Sequence, residues 1–195
     1  MRIIVLVFLS LLVCFANKQD IADAIKDVSN KSGVDSRIYY SIIEIESGFN
    51  PYVLSMVANE KFLEATKKLP KENFKVKASP YNNRYLISVF ADEESDIIEL
   101  AKVLYKFDLN IDMGLMQISK QHVSEDEIEH IFNPKYNIIK GNNILASCAT
   151  KYKVLSQSIE CYNRGFVNKK TLNYYKKFVN SFNNNFGDIY KWIYL

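Results

Sequence analysis

Between Asp35 and Ser47 the apolar residues Ile38, Ile42 and Ile45, with Phe49 just beyond, recur at i, i+4, i+7 and i+11, which is the spacing of one stripe on an α-helix. Asp35 or Ser36 can cap the start of this helix, and Gly48 and Pro51 turn the chain out of it. A shorter helix is expected before it, from Asp20 to Asn30, with Ile21, Ala24, Ile25 and Val28 on one face and Ser32-Gly33 as the break. Asn59 to Leu69 predicts a third helix, with Ala58, Phe62, Ala65 and Leu69 on its apolar side. The period then changes. Phe74 to Ala78 alternates at period two, Ser79 to Asn83 is rich in turn residues, and Tyr85 to Phe90 is β-branched and aromatic, so a β-hairpin is expected.

Helical spacing resumes after Asp92-Glu93-Glu94, whose acids suit a helix N-terminus, with Ile97, Ile98, Ala101 and Leu104 as the core face. A turn over Asp108 to Asp112 leads into Gly114-Leu115-Met116-Gln117-Ile118. Ser124 and Glu127 form a capping box for a short helix ending near Phe132, and Asn133-Pro134 stops it. Asn137 to Tyr152, Ser156 to Tyr162 and Thr171 to Phe186 predict three more helices, followed by an aromatic tail from Ile189 to Leu195. With no repeat, linker or low-complexity tract, the reading is one mainly α (α+β) domain with an inserted β-hairpin.

Glu46 sits at the edge of the first stripe, four residues after Ile42 and one after Ile45, so apolar neighbours should shield it. Shielding disfavours the carboxylate, and a carboxyl that keeps its proton near neutral pH is a candidate general acid. Glu44 points away from it, because two residues along a helix is a rotation of about 200°. The competing reading of Glu46 is a buried structural acid answered by an arginine or a helix N-terminus.

Composition narrows the setting. The 195 residues are 48% hydrophobic and 24% charged, which fits a single folded domain rather than a disordered chain. A basic start at Arg2, an apolar run from Ile3 to Val13 and Ala16 have the layout of a secretory signal peptide over residues 1–16, leaving a domain over 17–195. The run is too short for a permanent span. Lipidation at Cys14 is disfavoured by Val13 before it. The mature protein is therefore expected to be periplasmic, with no membrane association. Loss of Cys14 leaves Cys148 and Cys161, and an even pair in an oxidising compartment points to a disulfide. His122 and His130 lie in a charged segment and read as surface residues, so no metal and no cofactor are expected. A net charge of +3 without a basic run interleaved with aromatics argues against a nucleic-acid partner.

Three patches occur in order: E-S-G-F-N-P at Glu46 to Pro51, G-L-M-Q-I at Gly114 to Ile118 and C-Y-N-R-G at Cys161 to Gly165. Together they resemble the soluble lytic transglycosylase (SLT) family, a lysozyme-like group with E-S-x-F-N-P, G-L-M-Q plus an apolar residue, and A-Y-N-x-G in that order. Thr171-x-x-Tyr174 resembles the segment that places a tyrosine across the cleft from the family's acid. The resemblance implies Glu46 as the catalytic acid and base, with Ser47, Met116, Gln117, Tyr162, Asn163 and Tyr174 binding substrate. It also implies cleavage of the β-1,4 bond between N-acetylmuramic acid and N-acetylglucosamine in peptidoglycan, with 1,6-anhydro products and no water consumed.

Two departures stand out. Cys161 replaces the alanine of the third motif, which fits a bond to Cys148. The stretch from Pro51 to Gly114 is long, and an insertion over about residues 57–108 resembles the specialised transglycosylases of conjugation and type IV secretion systems. That implies partnership with an envelope-spanning secretion machine, the insertion serving location or control. The alternatives are general wall turnover and a non-catalytic peptidoglycan-binding scaffold. A hydrolytic muramidase is disfavoured because no second acid is placed by the sequence.

Overall fold

A computed structural model of the chain describes residues 18–166 and 171–189. The expected export signal, Cys14 and most of the aromatic tail lie outside those residues. The first helix, α1, covers residues 18–32 and buries Ile21, Ala24, Ile25 and Val28, the face expected from their spacing. Helix α2, Ser36–Ser47, starts at Asp35, whose carboxylate accepts the backbone N–H of Arg37 at 2.9 Å. Tyr39, Ile42 and Ile43 on α2 are fully buried, and the Tyr39 hydroxyl donates to Asn142 at 2.6 Å. Gly48 ends the helix in the left-handed region, φ 59°, with its N–H bonded to the Glu44 carbonyl.

The chain then enters a five-stranded antiparallel sheet. Strand β1 is Val53–Ala58, and after helix α3, Glu60–Thr66, come β2, Phe74–Tyr81, and β3, Arg84–Ala91. Helix α4, Glu94–Tyr105, leads to β4, Ile111–Met113, and β5, Ile118–Ser119. The order is β2-β3-β1-β4-β5. The 74–90 hairpin is present, but its turn is tighter than expected. Strand β2 runs on to Tyr81, and Asn82-Asn83 alone turn the chain, with Asn82 at φ 51°, a conformation asparagine tolerates. Pro80 falls on the sheet's edge strand, the position in a sheet where a missing N–H is tolerated.

The sequence reading missed three strands. Val53-Leu54 breaks the alternation of β1, and β4 and β5 are too short to show a period, so the expected turn at 108–112 ends in a strand instead. Helix α3 also stops at Thr66, short of Leu69, where the Thr66 hydroxyl turns back to the Leu63 carbonyl at 2.8 Å.

Strand β3 pairs with β1 over its central six residues, from Tyr85 against Ala58 to Phe90 against Val53. One face of the sheet, carrying Leu54, Met56, Ile87, Val89, Ile111 and Met113, is buried with Ile97 and Ala101 of α4. The 57–108 stretch is thus part of the principal core. Replacing the whole hairpin would strip β1 of a neighbour.

Beyond the sheet, Ser124 and Glu127 close their capping box over a 3-10 turn, Glu125–Glu129. Helix α5, Pro134–Tyr152, is capped by Asn133. It is followed by α6, Leu155–Arg164, and α7, Asn173–Phe186. A disulfide joins Cys148 of α5 to Cys161 of α6, with Cα atoms 5.8 Å apart.

Two stability measurements follow. Replacing Cys148 and Cys161 by alanine should cost about 3 kcal/mol, the chain-entropy value for a loop of this size, and lower the midpoint of urea unfolding. Glu127 accepts from Lys140, from the Tyr136 hydroxyl at 2.6 Å and from the Ser124 N–H at 2.9 Å, which hold its carboxyl down at about 2. A lowered acid stabilises the fold above its ordinary value of 4.5 and loses that contribution as pH falls toward 2. Glu127→Gln should therefore lower the melting temperature at pH 7 and flatten its decline in acid.

Candidate active site

Glu46 occupies the last turn of α2, where the chain is about to leave the helix. The Tyr174 hydroxyl, reaching from the first turn of α7, donates to Glu46 Oε1 at 2.5 Å. Burial is the largest cause of a Glu46 pKa pushed up to about 7; the Tyr174 hydrogen bond and Lys177 pull it down, and the charge of Asp112 pushes it up. The partner of Glu46 is thus a phenol, not the arginine or helix N-terminus of the structural reading. Glu44 points to another wall, taking hydrogen bonds from Ser181 at 2.5 Å and Asn185 at 2.9 Å.

Tyr174 is held by the third motif. Glu160, buried immediately before Cys161, accepts the backbone N–H groups of Tyr174 and Tyr175 at 2.8 and 2.9 Å. These are orphan donors at the start of α7, so a carboxylate placed there satisfies them and suits the helix dipole. Arg164 approaches the other Glu160 oxygen at 2.7 Å and bonds the Thr171 hydroxyl at 2.8 Å. The disulfide at Cys161 ties the same turn of α6 to α5.

The second motif is a turn shaped by Asn137 of α5. Its side chain accepts from the Met116 N–H at 2.8 Å and donates to the Met113 and Ile131 carbonyls at 3.0 and 2.8 Å. Gly114, at φ 73°, lies so close that a Cβ there would meet Asn137 Nδ2 at 2.3 Å. Gln117 takes φ 47° and donates its side-chain amide to the Gly114 carbonyl at 2.9 Å. Tyr162 donates to the Met116 carbonyl at 2.7 Å, linking the third motif to the second. Burial drives the Tyr162 hydroxyl well above its ordinary pKa, with the charges of Glu46 and Asp112 adding to the effect.

Glu46, Asp112, Tyr162 and Tyr174 therefore share one electrostatic environment. Met116, expected to line the groove, is instead fully buried and packs its sulfur against Gly141, where a Cβ would meet Sδ at 2.3 Å. It supports the wall from behind. Ser47 spends its hydroxyl on the Ile43 carbonyl at 3.1 Å, and Asn163 is exposed on α6.

Asp112, Glu160 and Asn137 escaped the sequence reading. Asp112 matters most, because burial raises its carboxyl to about 6 and it acts on Glu46 through space. The sequence placed no second acid, and Asp112 supplies one in the same electrostatic environment. Its only sequence signal was a position two residues before Gly114, indistinguishable from an ordinary loop acid.

The family model described as "Transglycosylase SLT domain" matches residues 23–185. The chain belongs to this family. All three motifs and Tyr174 fall inside the matched SLT domain, and the family implies peptidoglycan, outside the cytoplasm, as the substrate. Comparison with curated proteins and with solved structures gave no match. Among the described residues of the SLT domain no helix is long and apolar enough to cross a membrane.

The Glu46 environment makes a signed prediction. The Tyr174 bond favours the carboxylate, so Tyr174→Phe should raise the Glu46 pKa above 7, while Asp112→Asn, removing a repelling charge, should lower it. A carbon-13 NMR titration of the Glu46 carboxyl reads both shifts directly.

Proposed function

We propose that the protein is a peptidoglycan lytic transglycosylase in which Glu46 acts first as general acid and then as general base. The observation that carries this reading is the shielded Glu46 carboxyl under the Tyr174 hydroxyl at 2.5 Å, with burial pushing its pKa up to about 7. Glu46 protonates the oxygen linking N-acetylmuramic acid to N-acetylglucosamine as the bond from C1 to that oxygen breaks. The substrate's own N-acetyl oxygen stabilises the cation at C1. Glu46, now a carboxylate, takes the proton from the C6 hydroxyl, O6 closes on C1, and the acid is regenerated with no water consumed.

Tyr174 orients the Glu46 carboxyl and stabilises its anionic form between the two proton transfers. Gln117 and Asn163 offer amides to acetamido groups and sugar hydroxyls, and Ser47 and Tyr162 shape the wall beside the reacting sugar. Met116 backs that wall from the core. The signal-like residues 1–16 support export to the periplasm. The insertion over about residues 57–108, with the short Asn110-Ile111-Asp112 lead into the second motif, resembles the specialised transglycosylases and supports local wall opening for a secretion or conjugation machine over general turnover, while Glu46, Gln117, Asn163 and Tyr174 together argue against a non-catalytic scaffold.

Asp112 favours one second reading, hydrolysis, since a second carboxylate near the acid is what a muramidase needs. Product analysis separates the two. Digestion of purified wall should release muropeptides ending in 1,6-anhydro-N-acetylmuramic acid; reducing ends instead would make the protein a hydrolase. Glu46→Gln, which keeps the shape but delivers no proton, should lower turnover by about 10²- to 10⁴-fold with the fold intact. Because only protonated Glu46 starts the reaction, kcat/KM should fall as pH rises above about 7.

A further inference from the structure

The register of the sheet places one polar row across all of its strands. Lys77 pairs with Ser88, Ser88 with Ser55, Ser55 with Asp112, and Asp112 with Ser119. Residues directly opposite each other share a face, so the row lies on the side of the sheet away from the core. Ser55 and Ser88 join it by a hydroxyl contact of 3.0 Å. One strand from its inner end is Asp112, whose charge acts on Glu46. Its outer end is the exposed Lys77 on β2, about 14 Å from Asp112 at three strand spacings.

On β3 and β1 the rows on either side are apolar where the central one is polar. Phe90 stands between Lys75 and Val53, and Leu86 between Ser79 and Val57. Leu86 is 40% exposed, and Lys77 lies over the Phe90 ring, 4.9 Å from its centroid. Neither Lys75 nor Lys77 has a carboxylate partner among the described residues. A line of hydroxyls flanked by Phe90 and Leu86, with Lys77 at its end and Lys75 beside it, matches a chain of pyranose rings. A ring face can rest on the exposed Leu86, and on Phe90 once Lys77 turns from it to a carboxylate, while sugar hydroxyls can meet Ser55 and Ser88 and carboxylates can meet the lysines.

We infer that the outer face of the β2-β3 hairpin is a second section of the glycan groove, which holds a carboxylate-bearing part of the same peptidoglycan strand that Glu46 cleaves. This rests on the transglycosylase reading for the identity of the strand. Two things select this occupant: the row runs without interruption from the candidate active site, and its far end is positive, which suits a polymer bearing stem-peptide carboxylates, or lactyl carboxylates on sugars without a peptide. The hairpin thus acts in substrate grip, selecting long, charged glycan over short or neutral oligomers.

The test uses Lys75→Glu/Lys77→Glu, two exposed positions on an edge strand where the fold should be unaffected, checked by an unchanged melting temperature. In a Glu46→Gln background that binds without cutting, affinity for purified insoluble peptidoglycan should fall about tenfold, and the loss should shrink in high salt. Affinity for a chitooligosaccharide, which lacks carboxylates, should not change. With Glu46 restored, the lysine variant should show a raised KM on long strands at unchanged kcat. Unaltered binding to peptidoglycan, or an equal loss on both glycans, would overturn the inference. Failure of the parent protein to cut wall at all would instead count against the transglycosylase reading, and the binding comparison would still decide the role of the hairpin.

Discussion

A carboxyl group holds its proton near neutral pH only where water is kept from the charged form, and the arrangement around Glu46 follows from that constraint. Burial raises its pKa, and a single strong hydrogen bond from Tyr174 keeps the shift from going further. Both suit the role proposed for Glu46, which gives up a proton and then takes one back. Too little shielding leaves it ionised, and too much leaves it unable to act as a base.

The distance in sequence between Glu46 and Tyr174 explains why so much of the helical region is built to fix one phenol. Tyr174 is aimed by the start of α7, which is held by Glu160, which sits on the α6 turn fastened to α5 by the disulfide. Helix α5 also supplies Asn137, whose three hydrogen bonds shape the Gly114 turn. A polar group this buried is tolerated because both amide hydrogens and the carbonyl oxygen of Asn137 have partners. The first, second and third motifs are thereby parts of one hydrogen-bonded frame.

The sheet meets this frame at Asp112. Its strands alternate faces, so the same residues that give the core Ile111 and Met113 must send Asp112 to the other side, toward Glu46. Burial there leaves its carboxyl raised as well. A sheet widened by the hairpin therefore changes the surface that begins at the acid, and the long stretch before Gly114 is bound to the chemistry by geometry.

Local rules made much of this legible. The spacing of Ile38, Ile42 and Ile45 identified α2 and placed Glu46 on its shielded edge, Asp35 and the Ser124-Glu127 pair marked helix starts, and the period change at Phe74 revealed the hairpin. Those features depend on residues within a few positions of one another, where propensity and periodicity act. Strands β1, β4 and β5 were hidden because short strands are made by their neighbours, and β1 acquires its identity only from β3 and β4 on either side. Tyr174 was named through resemblance, but its bond to Glu46 spans 128 residues of chain and exists only in the folded state. Asp112 and Glu160 looked like any other acids for the same reason: desolvation and charge coupling are properties of a place, and the place is formed by packing. Met116 shows the converse, since resemblance put it in the groove and packing against Gly141 put its side chain in the core.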